Sequence, residues 1–174
     1  MAVQQCRTIA IALFQYAGDH DNNYPEGKSS TEVFQKLLDG KYVTDPEIFF
    51  YPLPGKVKPK SPTLRPENVG YDVTCCTDAR APDGLPVVFL TGFKITYQAG
   101  AKAVPLPTKP RTWSDWWHGV PMPVHFIAIC YMSKSALASV NPDADGSFLN
   151  FIPANFDPKG KSYRQLTPDG ELPP

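Results

Sequence analysis

MAVQQCRTIAIALFQYAGDHDNNYP, residues 1–25, decides how the rest of the chain is read. Val3, Cys6, Ile9, Ala10, Leu13, Tyr16 and Ala17 recur every three or four residues, so they share one face of a 3.6-residue helix. Ile11, Ala12 and Phe14 widen that apolar arc beyond what a small domain's surface helix needs. No Ser, Thr, Asp or Asn precedes Val3 to bond the open amides of a first turn, and the helix reads as one cut from a longer segment. Its exit is sharp. Gly18, Asn22 and Asn23 tolerate positive φ, and Pro25 blocks continuation.

Ser29-Ser30-Thr31-Glu32 has the spacing of a capping box, in which Ser and Glu cap each other's amides. Val33, Phe34, Leu37 and Leu38 follow as an apolar stripe, and Gly40 stands where a left-handed terminator belongs, so a short second helix is expected. Residues 52–66 (PLPGKVKPKSPTLRP) hold five prolines and four Lys/Arg and read as an exposed, extended connection.

Strand candidates come later. Val69–Cys75 alternates in character, Asp83-Gly84 marks a turn, and Pro86–Leu90 is apolar. Lys94–Tyr97 follows Thr91-Gly92 closely enough for a hairpin with the preceding strand. Val124–Met132 is the most apolar stretch and is expected at the centre of a sheet, with a turn at Ser133-Lys134-Ser135 and a further strand over Ala136–Val140. Residues 153–174 read as an irregular tail. Helices first and strands later is an α+β order: an antiparallel sheet laid on the N-terminal helix, with a short second helix and long Pro-rich loops, in one domain over 1–174.

Composition narrows the function. Seventeen basic and seventeen acidic side chains cancel, leaving no electrostatic footprint for nucleic acid or an anionic membrane. Twenty prolines and 12 glycines imply many turns and short strands, while 42% hydrophobic residues oppose wholesale disorder. No run of 18 apolar residues exists to span a bilayer, and no basic, cleavable leader is present. Cys6, Cys75, Cys76 and Cys130 allow three pairings; a Cys76–Cys130 bridge and four buried thiols remain alternatives.

Cys6, the Ile/Ala/Leu-rich run, Tyr16-Ala17, the Asp/Asn-rich turn and Tyr24-Pro25 resemble the end of the N-terminal helix in type II secretion pseudopilins of the major, G-type class and in related pilin-like proteins. The resemblance continues through Gly40-Lys41-Tyr42-Val43-Thr44-Asp45-Pro46-Glu47-Ile48-Phe49 and covers residues 1–55. Relatives carry Cys-Pro just after the aromatic pair; Phe50-Tyr51-Pro52 keeps the Pro without the Cys, so the family's disulfide to Cys6 is not available. Ser133-Lys134-Ser135 likewise replaces a turn often written Asp-Gly in relatives.

The resemblance implies a pilin-like fold, with residues 1–18 as the lower part of a helix whose apolar half anchors the protein in the inner membrane. It implies a structural subunit of a secretion or pilus-type filament, with its globular part in the periplasm or outside the cell. Its partners would be other pseudopilin or pilin subunits and the secretion machinery. Val3, Ile9 and Leu13 would pack partly on their own sheet and partly against adjacent subunits. The competing reading of the missing leader and span is a protein soluble in the cytosol.

Chemistry-bearing residues are few. Asp143 and Asp145, in Asn141-Pro142-Asp143-Ala144-Asp145-Gly146-Ser147, alternate before a Gly as calcium ligands do, and major pseudopilins carry a calcium loop near their C-terminal strands. No Glu follows at EF-hand spacing, and a plain turn explains the same residues. Asp19-His20-Asp21-Asn22-Asn23 reads as a helix-ending turn. Trp113, Trp116 and Trp117, in TWSDWWHG, suit stacking on a sugar or anchoring a protein, which makes a secreted glycan- or protein-binding module the alternative function. A lid folded back over the sheet edge is the plainer account of them, and His118 beside them reads as a loop residue. No Gly-x-Ser-x-Gly, His-Glu-x-x-His, phosphate-binding Gly loop or Cys-x-x-Cys is present, and the reading is non-enzymatic. Cys75 or Cys76 with His125 as nucleophile and base, or zinc on Cys75, Cys76, Cys130 and His118, is disfavoured by the apolar strand around His125 and by the adjacent cysteines.

Overall fold

The N-terminal periodicity becomes helix α1 (Ala2–Asp19), which has no side-chain cap at its start. It ends where the amides of His20 and Asn22 both donate to the Ala17 carbonyl, at 3.1 and 2.8 Å. Asp21 and Asn22 take the left-handed conformation (φ 52° and 65°), whereas Gly18 is still helical. The structure is a computed structural model and describes residues 1–75, 77–106, 127–133, 135–139 and 151–172.

Helix α2 (Ser30–Asp39) starts as expected, with Ser29 Oγ accepting the Glu32 amide at 3.2 Å. The reciprocal arm differs: Glu32 Oε2 takes the Lys28 amide at 2.9 Å, one residue upstream of the capping-box partner. The terminator differs too. Gly40 has φ −79° and Lys41 carries the positive φ of 60°. Glycine is needed at 40 for space, because a Cβ there would lie 2.6 Å from Cε2 of the Tyr42 ring. Two short 3₁₀ turns, Pro46–Phe49 and Pro66–Asn68, flank the Pro-rich connection, which Leu53 and Leu64 pin to the core.

Among the described residues eight strands follow: β1 (Tyr71–Cys75), β2 (Pro86–Leu90), β3 (Phe93–Ile95), β4 (Ala103–Pro105), β5 (Ile127–Tyr131), β6 (Ala136–Ser139), β7 (Arg164–Thr167) and β8 (Gly170–Glu171). Six of them make an antiparallel sheet in the order β6-β5-β2-β1-β7-β8, and β3 and β4 make a separate antiparallel ribbon. The α+β architecture, with an N-terminal helix on an antiparallel sheet, is therefore present.

Three pairings depart from the sequence reading. β3 does not form a hairpin with β2, because β1 and β5 already occupy both edges of β2; its partner is β4. Among the described strands β5 lies one in from the end of the order, and β2 and β1 hold the centre. The expected irregular tail contributes β7, which pairs with β1 in the register Val73↔Leu166, Thr74↔Gln165 and Cys75↔Arg164. Tyr163 and Gln165 are buried on one side and Leu166 in the other cluster, a short alternation that flanking Pro and Gly obscure in the sequence.

The sheet separates two apolar clusters. The helix side joins Cys6, Ile9 and Leu13 of α1 and Phe34 and Leu37 of α2 to Tyr71, Val73, Val88 and Leu166. The far side joins Phe89, Ile127 and Ile129 to Phe93 and Ile95 of the ribbon and to Phe151, Ile152 and Phe156. The result is three layers: helices, sheet and ribbon. The first turn of α2 is bolted to the sheet by Ser30 Oγ, which donates to the Tyr71 carbonyl, and Thr31 Oγ1, which donates to the Pro168 carbonyl, both at 2.8 Å.

Candidate functional site

Helix α1 presents two different faces. Ala2, Cys6, Ile9, Ala10, Leu13 and Ala17 face β2, β5 and β6 and are closed inside the chain. Ile9 is 0% and Leu13 1% exposed, so neither is available to an adjacent subunit; Val3 is partly buried against the same core. The packing of Ile9 and Leu13 on their own sheet encloses both side chains. Ile11 and Phe14, one turn apart on the outer side, are each 40% exposed.

Polar contacts set the helix's position. Gln5 donates from Nε2 to the Phe50 carbonyl at 3.0 Å and accepts at Oε1 from the Tyr71 hydroxyl at 2.9 Å, which joins α1 to the first 3₁₀ turn and to β1. At the far end the Tyr16 and His20 rings stack at 3.8 Å, with Tyr42 against Tyr16 at 5.3 Å. The Tyr42 hydroxyl donates to Asp19 Oδ2 at 2.8 Å, and that bond raises its pKa because losing the proton would set phenolate against carboxylate. Asp19-His20-Asp21 is thus a helix-ending turn built around ring packing.

Cys6 and Cys130 are buried thiols without a disulfide. Burial pushes both pKa values up, Cys130 to about 11, so neither is a nucleophile near neutrality. Among the described residues, no three His, Cys, Asp or Glu side chains converge on a metal position, and no helix is long and apolar enough to cross a membrane.

The ribbon side carries a cleft of about 480 Å³ lined by Lys94–Gln98 and Lys161–Gln165, with Glu171 and Leu172 also on its wall. Its rim is charged: Arg164 pairs with Glu171 at 2.7 Å and Lys161 with Asp78. The Tyr97 and Tyr163 rings meet within it at 5.9 Å. Sequence reading did not single out this side. The available signal was Asp72, a lone carboxylate between Tyr71 and Val73 in an apolar strand.

Trp113, Trp116, Trp117 and His118, the calcium candidates Asp143 and Asp145, and Cys76 and His125 lie outside the described residues. Compared with protein-family models, curated proteins and solved structures, the chain finds no match in any of the three.

Proposed function

We propose that the chain is the globular part of a pseudopilin-like structural subunit, held in the cell envelope and assembled with like subunits into a periplasmic secretion or pilus-type filament. The observation that carries this reading is the division of α1. One face is sealed on the sheet while Ile11 and Phe14 remain exposed on the other. Exposed large apolar side chains on a rigid helix suit contact with another protein. The balanced charge of the chain fits protein partners better than nucleic acid.

The coding sequence upstream of Met1 provides the test. The expected finding is a short basic leader followed by about 20 apolar residues in frame. Translation starting at Met1 from its own initiation signals would overturn the proposal.

A further inference from the structure

Asp72 is fully buried in β1, on the side facing the ribbon. Gln165 stands opposite Thr74 in register, which makes Asp72 its diagonal neighbour across the β1–β7 pair. Gln165 Nε2 donates to Asp72 Oδ2 and to the Phe93 carbonyl, each at 2.6 Å, while its Oε1 accepts the Ile95 amide at 3.1 Å. One side-chain amide therefore does for the outer edge of β3 what a neighbouring strand's peptide group would do. Asp72 Oδ1 has no hydrogen-bond partner.

That arrangement suits a neutral carboxyl better than a carboxylate, since a buried charge lacking full hydrogen bonding is costly. Burial pushes the Asp72 pKa up to about 7, against hydrogen bonds from Thr91 and Gln165 and the attraction of Lys56, with Asp169 adding to the rise. Lys56 comes from the Pro-rich connection, where burial lowers its own pKa, and Asp169 from the β7–β8 turn.

We propose that Asp72 and Gln165 form a proton-sensitive latch between sheet and ribbon. With the carboxyl neutral, Gln165 holds β3 closed. When Asp72 releases its proton to solvent, the carboxylate draws in water, the Gln165 amide lets go of Phe93 and Ile95, and the ribbon lifts over the Lys94–Gln98 cleft. The latch is independent of any role in assembly.

Hydrogen exchange at the Ile95 amide, corrected for the intrinsic pH dependence of exchange, reads the latch directly, and a ¹³C titration of the Asp72 carboxyl reads its proton. Linkage predicts an Ile95 opening equilibrium that rises nearly tenfold per pH unit at first, about fiftyfold in all from pH 5 to 7, and levels off above. Exchange at Ile95 should outpace exchange at β2 amides at every pH, since it needs only the ribbon to open, and Asp72→Asn should remove the Ile95 trend. Titration of Asp72 in the ordinary aspartate range, a pH-independent Ile95, or an Ile95 amide that exchanges no faster than the β2 amides would each overturn the latch. The wild-type measurements decide the matter even if Asp72→Asn does not fold.

Discussion

Gln165 and Asp72, 93 residues apart in sequence, are joined by a 2.6 Å hydrogen bond in the interior, and the same Gln165 amide also holds Phe93. A carboxyl placed there makes stability depend on pH. Its pKa is higher folded than unfolded, so its contribution is fully present below about pH 4 and is lost as the pH climbs towards about 7. Asp72→Asn keeps an acceptor for Gln165 and removes the ionisation. Urea unfolding should find the variant more stable than wild type at pH 8, by at most about 4 kcal/mol, with the advantage shrinking towards pH 4.

Helix α1 has one face that holds the protein together and one that does not. Leu13→Ala, which opens a cavity between α1 and the sheet, should cost about 2–5 kcal/mol in chemical denaturation. Ile11→Ser should cost less than about 1 kcal/mol, because its side chain is already largely in water. Equal costs would mean the helix sits differently on the sheet.

Gly40 and Tyr42 are coupled by space. Gly40→Ala sets a methyl group against the Tyr42 ring and should destabilise by about 1–3 kcal/mol. In a Tyr42→Ala background the same change should be neutral or stabilising by about 0.5–1 kcal/mol, since the φ of −79° suits alanine. A double-mutant cycle on thermal or urea unfolding measures the coupling.

Ser29 caps α2 at a partly buried position. Ser29→Ala should cost about 1 kcal/mol, and Ser29→Asp should recover most of it, because a carboxylate also accepts the Glu32 amide and favours a helix N-terminus.

Cys6 and Cys130 should resist thiol reagents in the folded protein and react once denaturant is added, with labelled peptides mapped by mass spectrometry. Rapid native labelling of either would mean that the α1–β5 packing opens readily.

Local patterns made much of the fold legible. The three-to-four spacing of Val3 to Ala17, the Ser29–Glu32 cap and the apolar runs at 86–90 and 127–131 specify their elements because each depends on neighbours a few residues away. What lay beyond the sequence was every choice made between distant segments. Either edge of β2 was open in principle to β3, and only the arrival of β1 and β5 closed both. Arg164–Thr167 reads as a tail until β1 offers it an edge. Gly40 looks like a turn residue until the Tyr42 ring lies against it. Asp72 looks like a surface charge until Gln165, far along the chain, encloses it. Backbone propensity is local, whereas burial and strand pairing are settled by which distant surfaces exclude water together, and that is decided only in three dimensions.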